Sequence, residues 1–147
     1  MPLLNSAVEM QSEIVGWRHH IHENPEILFD CVKTSAFVAE KLRAFGCDEV
    51  ATGIGRTGVV GLIKGRLGNG PVIGLRADMD ALPIEEKTGL PHASKTSGKM
   101  HACGHDGHTA MLLGAAKHLS ETRNFRGAVA VIFQPAEEGG GGGREMV

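Results

Sequence analysis

No apolar run in this chain approaches the roughly 18 residues that a membrane-spanning helix needs, so no membrane partner is expected. Met1 to Gln11 lacks a basic stretch leading into an apolar one, so no export signal is expected either. Cysteine is scarce: Cys31, Cys47 and Cys103 form an odd set, which argues against a disulfide framework and for a reducing compartment, the cytoplasm. Charge of one sign is nowhere concentrated. With 15 Lys and Arg against 17 Asp and Glu, interspersed to a formal net charge of −2, the chain has no basic stripe for nucleic acid and no acidic tail. No internal repeat of useful length occurs.

The 147 residues, 41% hydrophobic and 22% charged, fit one soluble globular domain. A domain of this size buries about 70% of its unfolded surface. Two residue types are abundant and clustered. Histidines fall at 19, 20 and 22 and again at 101, 105 and 108, while glycines crowd into 53–74 and 139–143.

Spacings of three and four between Ala7, Met10, Ile14, Trp17 and Ile21 predict a helix from Leu4 to His22, ended by Asn24-Pro25. A second helix is expected over Lys33–Phe45, capped by Gly46. Thr57–Lys64 and Pro71–Arg76 read as strands with Gly65–Gly70 as the turn between them. Asp78–Gly98 reads as loop with a short helical turn. Thr109–Leu119 reads as a helix, Gly127–Phe133 as a buried strand, and Gly139–Gly143 as a flexible loop. This order predicts an α/β fold with a mixed sheet.

Gly53-Ile54-Gly55-Arg56-Thr57-Gly58 matches the dinucleotide-binding glycine pattern, with Asp78 about twenty residues on. That fingerprint must open a helix, because the pyrophosphate sits on a helix N-terminus. Here it opens the strand-like Val59-Val60-Gly61-Leu62-Ile63, so a plain glycine-rich turn is expected.

Three other segments carry more chemistry. His101-Ala102-Cys103-Gly104-His105-Asp106-Gly107-His108 packs three histidines, a cysteine and an aspartate just before a helix. In an extended segment Cys103 and His105 leave the same face, which suits two ligands on one metal or a thiolate spanning two. A cation and the helix N-terminus would favour the thiolate, and Asp106 could orient a ligand imidazole. In Gln134-Pro135-Ala136-Glu137-Glu138-Gly139, at a strand end, one carboxylate can bind a metal while its neighbour reaches a water. Alone, that pair would read as a solvated turn. In Arg76-Ala77-Asp78-Met79-Asp80-Ala81-Leu82-Pro83 one aspartate could hold a ligand imidazole or join the metal site, or both could cap a loop. His19, His20 and His22 are assigned to favourable interaction with the helix C-terminus, Trp17 to the core, and Cys31 and Cys47 to small buried positions.

These three segments and Arg18-His19-x-x-His22-x-x-Pro25-Glu26, in this order, resemble the metal-dependent amidohydrolases that cleave N-acyl amino acids. That group includes hippurate hydrolase, N-acetyl-diaminopimelate deacetylase and the auxin-conjugate hydrolases, within the aminoacylase–carboxypeptidase superfamily. The resemblance covers essentially the whole chain. It implies a mixed sheet flanked by helices, with residues 1–147 forming the N-terminal portion of a zinc-peptidase-like catalytic domain and the lid or dimerisation domain absent. It further implies Cys103, His105 and Glu138 as metal ligands, Glu137 as general base and Asp80 as support for a ligand. The implied cofactor is a divalent transition metal (Mn, Zn, Co or Ni), two per complete site, and the implied substrate a small N-acyl amino acid. Family members add two histidine ligands beyond Glu138 and are homo-oligomeric. A truncated chain of low activity, or one needing a complementing chain, is therefore expected. Rival readings are a non-catalytic metal-binding fragment and a thiol-redox protein using Cys103, though the chain lacks Cys-x-x-Cys.

Overall fold

The computed structural model describes residues 5–147. Leu4, the expected start of the first helix, and Met1 to Leu3 of the leader reading lie outside the described residues. The first helical pattern is divided at Met10 into α1 (Asn5–Glu9) and α2 (Gln11–Glu23). The break is shallow: the Met10 amide still donates to Ser6 O at 3.1 Å and the Ile14 amide to Met10 O at 3.0 Å. α3 (Val32–Ala44) ends as expected around Gly46, which takes φ 79°. The Cys47 amide reaches back to Leu42 O at 3.1 Å, closing the last turn in the manner of a left-handed helix cap.

Four strands follow in a mixed sheet: β1 (Glu49–Ile54), β2 (Gly58–Lys64), β3 (Val72–Asp78) and β4 (Ala128–Gln134), ordered β1-β2-β4-β3. β1 pairs antiparallel with β2, β2 antiparallel with β4, and β3 parallel with β4. Two expectations change here. β1 was unforeseen, because its edge residues are mostly exposed and carry no apolar alternation. The 65–70 segment is no hairpin turn, since β4, the most continuously apolar strand, lies between β2 and β3. The glycine pattern at 53–58 forms the β1–β2 connection, with Gly53, Gly55 and Arg56 at positive φ, and opens a strand as expected.

Val59, Ile63, Val129, Val131 and Phe133 point to one face, where α3 and α4 (His105–Thr122) pack through Val38, Leu42, Leu113 and Ala116, with Trp17 of α2. Gly61 has no side chain because Leu42 and Val131 close over it: an added Cβ would lie 3.0 and 2.9 Å from them. Fully burying one such aliphatic side chain is worth about 1.5–3 kcal/mol. Among the described residues no helix is long and apolar enough to cross a membrane.

The topology also sets one end of the sheet. Parallel pairing puts Asp78, last in β3, beside Gln134, last in β4, so both chains leave the sheet together. The segment from Met79 to Gly104 that follows β3 is irregular and lacks the expected helical turn; it is tied down by isolated bridges Ile27–Ala81 and Leu82–Met100. The glycine run does not stay a loop. Residues from Gly142 form α5 (Gly142–Met146), and Gly142 is buried so close to Pro135 that a Cβ would lie 1.7 Å from its carbonyl oxygen.

Candidate metal centre

At that sheet end α4 begins earlier than its apolar stripe predicts. His105 and His108 lie in its first turn, and Gly104 precedes them at φ 104°, a conformation that favours glycine. Cys103 and His105 therefore do not share a strand face; a left-handed glycine and a helix start turn them to a common point. The His105 Nδ1–H donates to Asp80 O at 2.7 Å, which fixes the tautomer and leaves the Nε2 lone pair free. One ligand atom each from Cys103, His105 and Glu138 lies within 4.8 Å of the others.

Asp80 organises the opposite wall. It is 1% exposed, and its Oδ1 and Oδ2 accept the amides of Glu137 and Glu138 at 2.9 and 3.0 Å. Those consecutive amides follow Ala136, buried with φ 53°. A left-handed non-glycine residue costs on the order of 1–3 kcal/mol, and here it leads into the turn that aims both amides at one carboxylate. Glu138 Oε1 and Glu137 Oε2 end 3.8 and 3.7 Å from His105 Nε2.

Asp78 stands on the other side. Its Oδ1 accepts His108 Nδ1–H at 2.7 Å and lies 3.5 Å from His105 Nε2, while Arg76 approaches Oδ2 at 3.3 Å. Asp78, His105 and His108 form a second group whose ligand atoms are mutually within 4.8 Å. Burial works against ionisation of Asp78, but the His108 hydrogen bond and the charges of His105 and Arg76 hold its carboxyl below the usual range. Cys103 is pushed the other way. The hydrogen bond to Glu138, then burial and the charges of Glu138, Glu137 and Asp78, raise its thiol, so without a cation the thiolate expected from the helix N-terminus is disfavoured. Three carboxylates around an imidazole lone pair and a thiol form a cluster that a divalent cation would neutralise. By the chemistry of its donors the site fits a metal.

Asp106 does not touch the His105 imidazole; its Oδ2 accepts His22 Nδ1–H at 2.8 Å and Arg18 Nε–H at 3.1 Å. His22, like His20, lies in the last turn of α2 as expected, and it is also 4% exposed and spans Asp106 and Glu86, whose Oε1 faces Nε2 at 3.2 Å. His19 stacks on His92, ring centroids 3.7 Å apart, and His20 lies against Phe37. Sequence reasoning missed Glu86, His92 and the burial of His101 altogether. Glu86 is held at about 2: burial opposes this, but the Thr88 hydroxyl, the Ser94 amide and His22 outweigh it. His101 is 4% exposed and neither ring nitrogen has a partner. Only its place inside the histidine-rich segment marked it. Trp17 and Cys31 are buried as expected, and Cys47 is half-buried.

Comparison with known proteins gives a consistent result. Residues 74–147 match the model of peptidase family M20/M25/M40. The chain is 53% identical over 147 residues to hippurate hydrolase of Campylobacter jejuni subsp. jejuni, covering 100% of this chain and 38% of that protein. It is 48% identical over 139 residues to N-acetyl-L-cysteine deacetylase of Bacillus subtilis, covering 94% and 33%. Among solved structures, a dinuclear metal-binding M20 peptidase of Bacillus subtilis superposes with a TM-score of 0.88 at 44% identity, covering 94% of this chain and 39% of that one. The chain thus spans between a third and two-fifths of the length of these relatives.

Proposed function

The chain belongs to peptidase family M20/M25/M40, and on that premise we propose that it provides the metal-binding and general-base part of a hydrolase acting on the amide bond of small N-acyl amino acids. The observation that carries this reading is the convergence of Cys103, His105 and Glu138 on one point, with Glu137 beside them. A divalent metal seated there would supply Lewis acidity toward a water and the amide carbonyl. Glu137, with its side chain 41% exposed, takes the proton from the attacking water and returns it to the leaving amine. Asp80 holds both glutamates at their amides and His105 through its carbonyl, acting as a positioning residue. The soft thiol, imidazole and carboxylate admit Mn, Zn, Co or Ni alike. Three free cysteines suit a reducing cytoplasm.

The test combines metal content after dialysis, by mass spectrometry, with release of amino acid from N-acyl amino acids. Near-stoichiometric metal in the wild type, lost in Cys103→Ala, supports the site. Metal retained in full by Cys103→Ala would remove that residue from it. A fully loaded chain that releases no amino acid, either alone or with the rest of such a hydrolase added in trans, would overturn the hydrolase reading for this chain.

A further inference from the structure

Both proposed ligands of the Cys103–Gly104–His105 segment are flanked by buried polar residues. His101 lies two residues before Cys103 and Asp106 directly follows His105, and both are buried. Asp106 is 0% exposed and is held from α2 by His22 and Arg18. The second His22 nitrogen is spent on Glu86, within the irregular segment that starts near Asp80 and ends at Cys103. Glu86 in turn accepts the Ser94 amide at 2.6 Å and the Thr88 hydroxyl at 2.5 Å, which draws that segment together around its carboxylate. A further tie sets the same segment on α2: the Lys95 amide donates to Glu23 O at 2.9 Å. One imidazole thus bridges the first turn of α4, which carries His105, and the segment that carries Cys103.

We propose that His22 is a positioning residue for the metal centre, fixing the first turn of α4 through its hydrogen bond to Asp106. The proposal rests on the metal-site reading above. Groups that orient a ligand without touching the metal change metal affinity by about 10–100-fold when removed. His22 acts at one further remove, through the backbone of residue 106, and the branch to Asp106 is the one nearest a ligand.

Two substitutions separate the branches. In His22→Asn the amide nitrogen stands near the position of Nδ1 and can still donate to Asp106; in His22→Gln it stands near Nε2 and can reach only Glu86. Cobalt(II) titration of the chain, read by the thiolate-to-cobalt charge-transfer band, compares them with the wild type, and circular dichroism checks the fold. The expected result is an affinity near wild type for His22→Asn and about 10-fold weaker or more for His22→Gln. Equal affinity in the wild type and His22→Gln overturns the proposal, as does an equal loss in both variants. Should His22→Gln fail to fold, His22→Phe keeps a planar ring and removes both hydrogen bonds. Unchanged cobalt affinity in that variant overturns the proposal too. No cobalt uptake by the wild type would overturn the metal-site reading and this one with it, whereas uptake insensitive to residue 22 overturns this one alone.

Discussion

At the scale of single residues the proposed chemistry divides between groups that would face a metal and groups that hold them. Glu137 belongs to the first kind. In a full-length version of the enzyme Glu137→Gln is expected to lower kcat by about 100-fold or more while metal content stays near wild type; metal lost with that change would make Glu137 a ligand instead. Asp80 belongs to the second kind. Asp80→Asn exchanges one of two amide-accepting oxygens for a donor that faces an N–H, leaving a buried polar group unpaired at a cost of about 1–3 kcal/mol. Its expected signature is weaker metal binding together with a lower midpoint of urea unfolding; an unaltered metal affinity would confine Asp80 to folding. The density of histidine and cysteine at 101–108 singled out Cys103 and His105, whereas Asp80, Glu137 and Glu138 were singled out by the family resemblance. The partner of Asp106 was not legible, since a carboxylate beside a ligand histidine can face either way. Only the packing of α2 against α4 turned it toward His22.

At the scale of elements, apolar periodicity located the cores of α2, α3, α4, β2, β3 and β4 but not their ends. α4 starts at His105 rather than Thr109 because its first turn is polar and its start is set by Gly104, which a search for apolar spacing does not register. The glycine run after Glu138 is a similar case. Composition alone predicts a flexible loop, yet the turn at 137–140 and the helix from Gly142 press the backbone against Pro135. Gly142→Ala must push these segments apart, and overpacking of this kind costs about 1–3 kcal/mol. Gly16→Ala makes the natural control, since nothing lies within 4 Å of a Cβ there. Alanine in mid-helix is favourable, so that variant is expected to match or exceed the wild type in Tm while Gly142→Ala falls below it. Equal Tm values for the two would show that α5 is not held in place by Pro135.

For the molecule as a whole, burying titratable groups couples stability to pH. Burial drives His101 down from 6.5 to about 4 against the pull of Asp106, with His22 and His105 adding to the shift. Because the folded value lies below the unfolded one, the unfolded chain takes up this proton first. The contribution is fully present above about pH 6.5 and declines toward pH 4, by at most about 1.4 kcal/mol per pH unit. Glu86, held at about 2 against 4.5, adds stability that is present above pH 4.5 and lost toward pH 2. Urea unfolding between pH 7 and 4 should therefore show falling stability that is flatter in His101→Phe; an identical slope in that variant would assign the decline to other groups. The sequence by itself determined the fold class, the helices that carry an apolar face and which residue types cluster with metal-binding chemistry, because these depend on local spacing and composition, while the family followed from the resemblance of four ordered motifs. Tertiary structure alone decided that β4 parts β2 from β3, that parallel pairing brings Asp78 and Gln134 side by side, and that Asp80 holds Glu137 and Glu138. It also decided that His22 ties Asp106 to Glu86. Such contacts join residues 56 to 84 positions apart, and a buried donor takes whichever acceptor the packing brings within reach, which no local pattern in the chain encodes.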